Sequence, residues 1–309
     1  MKLVYLSGGV GGARLLRGLV DQLGPDELTV VVNTGDDFDH WGLRICPDLD
    51  TVMYNMAGLA HEERGWGLSQ ESFAALSMMQ RYGSDTWFAL GDRDLATHLT
   101  RSEALRAGHS LTSVTARLAT ALGVDHPILP MCDAPVATTI DTRDGRSLPF
   151  QTWFVRERCE PAVRAVRYLG ASEPSEPVLD ALGRCDAVLI GPSNPYVSID
   201  PILSVPKTRT AVFARPVIAV SPIVAGAAIK GPLASMIEQI AKRPSSAGAI
   251  ARHYLAQGPL SGIVVERGDE ANVEGVRAFG AATVMRSRDE SRVLAARCLD
   301  VTTRFLQRT

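Results

Sequence analysis

Hydrophobic positions along the chain fall into short continuous runs joined by stretches of helical period. Leu3 to Leu6 is a buried-strand run, a glycine-rich segment follows, and Leu15, Leu16, Leu19, Val20 and Leu23 recur at helix spacing until Gly24 and Pro25 stop the pattern. The run ELTVVVN is continuous rather than alternating, as expected of a parallel strand covered on both faces. Strand, helix and strand within the first 33 residues predict a βαβ unit. CDAVLIGPSNPYVSIDPIL and RPVIAVSPIVAG repeat the grammar: an apolar strand whose carboxyl end opens into a Gly/Pro/Ser loop. GIVVE and AATVMR add short strands, alternating with helices expected around 233–242, 246–257, 270–278 and 288–307. The expected fold is α/β, a Rossmann-like, doubly wound and mostly parallel sheet.

Two segments break the alternation. Residues 58–123 are mostly helical in pattern, with ESFAALSMMQRYG and ATHLTRSEALRAG ending at glycines, which predicts a helical insertion capping the strand ends. VATTIDTRDGRSLPFQTWFV alternates apolar and polar residues on both sides of Asp144-Gly145 and predicts a β-hairpin. No linker-like boundary divides the pieces, so residues 1–309 are expected to form one α/β domain with insertions.

Composition changes this picture mainly by exclusion. The 309 residues are 46% hydrophobic and 21% charged, with a formal net charge of -2, enough apolar material for a large core and no basic footprint for nucleic acid or an anionic membrane. No apolar run approaches the roughly 20 residues that span a bilayer. Cys46, Cys132, Cys159, Cys185 and Cys298 are scattered, without a C-x-x-C pair and with no secretory leader pattern at the start, which fits a reducing cytoplasm and no zinc site.

The candidate chemistry lies at the strand ends. SGGVGGAR stands between a strand and a helix, where Gly8, Gly9, Gly11 and Gly12 would let backbone N–H groups approach an anion and the helix N-terminus adds positive partial charge. It lacks the Gly-Lys-Ser/Thr ending of a P-loop, and Arg14 stands where the third glycine of G-x-G-x-x-G would fall. A guanidinium there can take two phosphate oxygens; the alternative is a tight turn with no ligand.

After the second strand come Asp36, Asp37, Asp39, Asp48 and Asp50, five aspartates in eighteen positions. Asp36 is near the spacing of a ribose-binding acid in a dinucleotide site, which keeps an NAD(P)-dependent oxidoreductase open. That reading leaves CPDLDT unused. Asp50 precedes an apolar helix pattern and could be its N-cap, and Asp39 reads as a solvated loop charge. Hard oxygen ligands beside a phosphate loop suit Mg²⁺. Asp94, His98 and Arg101 share one helix face, with an Asp N-cap and a salt-bridged surface as the plain explanation. Ser193, Asn194 and Lys230 lie in later strand-end loops, where hydrogen bonding to a base or phosphate competes with ordinary turn chemistry. His40, His61, His109, His126 and His253 have no ligand-like spacing.

Taken in order, S-G-G-V-G-G-A-R, N-T-G-D-D, R-I-C-P-D-L-D-T, R-G-W-G-L, L-G-D-R-D-L-A-T-H-L, G-P-S-N-P and S-P-I-V-A-G resemble the 2-phospho-L-lactate transferase family of coenzyme F-420 biosynthesis. The resemblance implies transfer of a phospholactyl, phosphoenolpyruvyl or phosphoglyceryl group from a GMP-activated diphosphate donor to the deazaflavin Fo, with Mg²⁺ and release of GMP. It implies that the glycine loop and Arg14 hold the diphosphate, and that Ser193, Asn194 and the loop with Lys230 serve the guanosine. Asp36, Asp37, Asp48 and Asp50 would bind the metal, with Asp50, Asp37 and Arg93 in catalytic roles. Some relatives carry Lys just before L-G-D; Ala89 stands there, and Arg93 is the expected substitute contact. A homodimer is also expected. A non-catalytic regulator that binds guanosine nucleotide is the third alternative.

Overall fold

The computed structural model describes residues 1–170, 173–229 and 231–307. Its centre is a seven-stranded, wholly parallel sheet. The strands in chain order are β1 (Leu3–Ser7), β2 (Leu28–Val32), a ribbon β3 (Phe38–His40) and β4 (Leu43–Ile45), β5 (Ile128–Pro130), β6 (Ala137–Thr142), β7 (Ser147–Pro149), β8 (Val163–Leu169), β9 (Ala187–Ile190), β10 (Val217–Val220), a two-residue ribbon β11 (Ile223–Val224) and β12 (Ala227–Ala228), β13 (Gly262–Glu266) and β14 (Ala278–Ala281). The sheet order is β14-β13-β10-β9-β1-β2-β5. Strand order therefore reverses between β1 and β9, and ligands of doubly wound sheets bind at the carboxyl ends beside such a switch point.

Along β1, Leu3 and Tyr5 face one apolar core while Val4 and Leu6 face the other, which explains why the strand reads as an unbroken apolar run. The core on the Leu3 and Tyr5 side receives α1 (Gly9–Leu19), α2 (Pro47–Met56) and the long α11 (Arg288–Leu306). Helix α11 opens with a capping box from Ser287 and Glu290. Between β2 and its neighbour β5 the chain makes α3 (Ala74–Arg81), α4 (Asp92–Arg106) and α5 (Leu111–Ala121), the helices expected in the 58–123 segment. The hairpin forms as β6 and β7, and β8 pairs with β6 to make a three-stranded antiparallel sheet. No helix among the described residues is long and apolar enough to cross a membrane.

One stretch differs from expectation. A helix over 270–278 is replaced by a single 3-10 turn, Glu270–Asn272, and the last strand is Ala278–Ala281 rather than the AATVMR run. Gly268, just before the segment, and Gly275 within it both have positive φ, so the backbone turns at its entry and again in its middle, where a helix would need it regular.

Helices α1 and α11 approach so closely at Gly18 that a Cβ there would lie 2.2 Å from the Ser291 carbonyl oxygen. Gly18→Ala should therefore destabilise the fold by about 1–3 kcal/mol, the range for overpacking. Equilibrium urea unfolding measures it, and an unchanged midpoint would show that the helices are free to separate.

Candidate active site

The glycine loop joins β1 to α1 at the switch point and packs against the β9 loop. Ser193 Oγ donates to the Gly8 carbonyl at 2.7 Å and accepts from the Gly8 amide at 3.3 Å. A Cβ at Gly11 would stand 2.3 Å from the Pro192 carbonyl oxygen, and one at Gly12 would meet Ser7 Oγ and Ser193 Oγ. The close approach these two glycines permit is thus made first of all by the protein itself, an arrangement sequence alone could not distinguish from phosphate binding. Gly9 differs: its φ is +65° and only Ser198 Oγ, at 3.8 Å, comes near its Cβ position.

Other expected ligand residues are also engaged internally. Arg14 donates to the carbonyls of Met285, Glu62 and Glu63, stapling the segment after α2 onto α1. Asn194 accepts from the Tyr196 amide, and its amide nitrogen lies 3.5 Å from the Met236 sulfur. Arg93 is exposed, donates to the Ser69 carbonyl and, among the described residues, forms no ion pair with the aspartates. Lys230 lies outside the described residues.

The aspartates behave otherwise. Asp39 is solvated, as expected, but Asp36, Asp37, Asp48 and Asp50 are all buried. They form two pairs rather than one cage. At the glycine-loop end, Asp48 Oδ1 accepts the Gly9 amide at 2.7 Å and Oδ2 accepts from Asn33 at 2.8 Å, so the N-terminus of α1 already holds a carboxylate. Asp36 lies close enough that Asp48's charge is, after burial, the main cause raising its pKa well above the usual carboxylate range. Burial also raises Asp48. Asp36 Oδ1 is buried without a hydrogen-bond partner.

The second pair is Asp37 with Asp50. Both Asp37 oxygens are buried and unpartnered, and burial raises its pKa to about 7 although Arg44, 3.9 Å away, opposes this. Asp50 is not the N-cap of α2: Cys46 holds that position and Pro47 begins the helix, which places Asp50 one turn inside. Its carboxylate forms a two-armed ion pair with Arg101 of α4, one arm 3.1 Å long.

The face of α4 expected to be salt-bridged does carry ion pairs, but they are buried. Arg101 and His98 are each 1% exposed, and Arg101 contacts His98 Nδ1 at 3.2 Å. His98 Nδ1 lies 3.6 Å from Asp50, and Nε2 lies 3.3 Å from Asp94. Among the described residues, Asp50, Asp94 and His98 are the group of three metal-ligand types with donor atoms within 4.8 Å of one another. The imidazole lies between the two carboxylates with its Nε2 buried and without a hydrogen-bond partner, so one donor atom from each residue is near enough to the others to share a cation. Asp94 does not cap α4: Glu71 accepts from the Arg93 and Asp94 amides at 2.6 and 2.8 Å, while Asp92 accepts from the Ala74 and Ala75 amides of α3. Sequence reasoning missed Glu71, Asn33, Arg44 and Tyr54, the last of which donates to Asp94; only R-I-C-P-D and N-T-G-D-D placed two of them near the acids.

Beside Asp37 opens a cavity of ≈ 450 Å³ lined by Thr34, Arg44, Ser102, Arg106 and Asp133 among others. Its size suits a small organic ligand. His40 packs in an aromatic cluster with Trp41, Trp87 and Phe88 nearby, and His253 pairs with Asp200 at 2.9 Å, so both serve the structure.

Because Asp36, Asp37 and Asp48 have raised pKa values in the folded chain, the native state binds more protons than the unfolded state between the usual carboxylate range and about pH 7. Stability must fall as pH rises through that window. In EDTA, the Tm should decrease from about pH 5 to pH 8, and Asp37→Asn should flatten the decrease. Thermal melts across this range check it; a Tm that rises through the window would contradict the buried, unpaired state of these acids.

The sequence model for "2-phospho-L-lactate transferase CofD" matches residues 3–301. A phosphoenolpyruvate transferase of Kitasatospora aureofaciens is 43% identical, covering 91% of this chain and 90% of its own. A 2-phospho-L-lactate transferase of Methanosarcina acetivorans is 42% identical over 95% and 96% of the two chains. A crystal structure of a UPF0052-family protein from Bacillus halodurans superposes with a TM-score of 0.64 over 97% of this chain and 100% of that one; at 16% identity it supports the fold alone. With a family match over nearly its whole length and relatives above 40% identity, the chain belongs to the 2-phospho-L-lactate transferase CofD family.

Proposed function

We propose that the chain is a transferase that moves a phospholactyl-type group (phosphoenolpyruvyl, phospholactyl or phosphoglyceryl) from a GMP-activated diphosphate donor to Fo, releasing GMP in coenzyme F-420 biosynthesis. The names of the relatives support the reaction class, and one observation carries the site. Asp36 and Asp48 sit buried at the N-terminus of α1 with no ion-pair partner among the described residues. A helix end that would attract a diphosphate thus already carries an anion, and a second diphosphate charge cannot approach without a cation between them.

The unpartnered Asp36 Oδ1 and the Asp36–Asp48 repulsion fit Mg²⁺, which these two carboxylates would hold. When bound, it supplies charge neutralisation for the donor's phosphates. The residues do the rest. The first-turn amides of α1 and the open face at Gly9 receive the diphosphate, while the cavity beside Asp37 receives the acceptor. The terminal ribityl hydroxyl oxygen bonds to the donor's distal phosphorus as that phosphorus loses its bond to the bridging oxygen, and GMP departs with both bonding electrons. Asp37, unpartnered in the cavity wall, accepts the hydroxyl proton. Alignment and charge neutralisation account for the acceleration, with no covalent enzyme intermediate.

Incubation with Fo, a GMP-activated donor and Mg²⁺, followed by mass spectrometry, should give the coupled product and GMP in equal amounts, and EDTA should abolish both. Full activity in EDTA would remove the metal from the reading. Guanosine nucleotide binding without product would favour the regulator, and NAD(P)-dependent hydride transfer without GMP would favour the oxidoreductase.

A further inference from the structure

The cavity beside Asp37 differs in chemistry from floor to mouth. Thr34 and Asp37, both buried, line its inner part, and Leu105, Leu111, Ala134 and Pro135 give it apolar sides from the α4–α5 turn and from the segment between β5 and β6. Its charged side chains are Asp37, Asp39, Arg44, Arg106 and Asp133. Arg44 lies 3.9 Å from Asp37 and 3.6 Å from Asp39, and Asp133 accepts the Thr112 amide at 2.7 Å. Arg106, exposed at the mouth, makes no hydrogen bond or ion pair among the described residues. It is the one cation of the cavity wall that the protein leaves unengaged.

Helix α4 sets where that cation stands. Ser102 accepts the Arg44 amide at 2.7 Å and so faces β4; Arg106 follows on the same helix face, one turn and about 6 Å further along the axis. The helix thus carries the guanidinium away from the acids and toward the apolar sides and the mouth. A basic residue in a last turn also suits the helix dipole, but that role does not require the residue to face a cavity. Arg93, the cation expected to meet the acceptor, is absent from the cavity lining and donates to the Ser69 carbonyl.

We propose that Arg106 is a specificity-determining residue that selects the acceptor by its ring: the apolar sides hold a flat fused ring system, the guanidinium fork donates to the carbonyl oxygens of the pyrimidinedione edge, and the ribityl chain runs inward to Asp37. This rests on the proposed reading of the cavity as the acceptor site. The planar fork of arginine matches paired oxygen acceptors and stays charged throughout the working pH range. An oxygen-bearing aromatic is the ligand class that satisfies both the apolar sides and the free cation; a ring-less sugar alcohol would leave the first uncovered and the second unpaired. Because the contact lies away from the hydroxyl that reacts, it acts alike in the ground state and the transition state, and its loss raises KM without lowering kcat.

The test is the affinity of the full chain for Fo, read from the polarisation of the ligand's own fluorescence in the presence of GDP and Mg²⁺, together with KM and kcat for Fo on the same preparation. Arg106→Gln should weaken Fo binding and raise its KM by about tenfold or more, the loss expected when hydrogen bonds from a charged donor are removed, with kcat and GDP affinity unchanged. Arg106→Lys, which keeps the charge and loses the fork, should recover only part of that loss. Arg117→Gln removes an exposed cation of α5 that does not line the cavity and should bind Fo as wild type does. Arg106 is exposed, so its variants should keep the wild-type Tm. Wild-type affinity and KM in Arg106→Gln would overturn the inference and leave the transferase reading standing if wild type forms product. A fall in kcat at unchanged KM, or an equal loss in Arg117→Gln, would also overturn it, and full affinity in Arg106→Lys would overturn the forked contact. Wild type that neither binds Fo nor forms product would remove the acceptor reading and this inference with it.

Discussion

Negative charge buried at the carboxyl edge of a parallel sheet is the constraint around which the rest of this molecule is organised. A single ionised carboxylate without a partner is expensive in a protein interior, and four within one short segment would be prohibitive unless each were compensated or protonated. The fold compensates by different means at each. Asp48 takes the positive end of α1 and an amide from Asn33; Asp50 takes Arg101 from α4; Asp37 has a distant Arg44 and a raised pKa; Asp36 has the least, and its pKa rises most clearly through burial and the charge of Asp48. The site is thus strained electrostatically in a graded way, with the deficit located at the helix terminus where an anionic ligand would arrive.

The same graded deficit explains why the loops around it pack so tightly. The β1 and β9 loops meet backbone to backbone through Gly11 and Pro192, and Ser193 closes them with hydrogen bonds in both directions to Gly8. Such contacts exclude water from Asp36 and Asp48 and keep their dielectric low, which strengthens any later interaction with a cation or phosphate. Glycine is needed here for space. At Gly9 it is needed for conformation, since that residue adopts a positive φ.

Much of this architecture was readable in the sequence because the features responsible are local. Continuous apolar runs marked β1, β2, β9, β10 and β13, helix-period runs marked α1 and α11, and Asp144-Gly145 marked the β6–β7 hairpin. The glycine loop and the aspartates were located correctly at adjacent strand ends. What the sequence could not supply was partnership between distant segments. Arg101 follows Asp50 by 51 residues and Ser193 follows Gly8 by 185, and neither separation leaves a periodic trace. The salt-bridged face of α4 was legible for the same local reason, but its partner Asp50 on α2, the burial of His98 and Arg101, and Gly91 rather than Asp94 as the N-cap were not. The 270–278 segment was misread as helical although its apolar and polar residues alternate, a strand period, and Gly268 before it and Gly275 within it, both with positive φ, impose turns.

The split of the aspartates into two pairs also accounts for why so many lie in so short a stretch. The cavity beside Asp37 is walled by Arg44 of β4, by Ser102 and Arg106 of α4 and by Asp133 after β5, whereas the anion-attracting end of α1 is built by β1, β9 and Asp48. These two sets of elements belong to different parts of the fold and share only the segment between β2 and α2. That segment presents carboxylates in both directions: Asp48, with Asp36 beside it, toward the end of α1, Asp37 toward the cavity, and Asp50 toward Arg101 of α4. The density of aspartates therefore follows from topology, because one short segment is the seam between the end of α1 and the cavity, and its carboxylates lie on both sides of it.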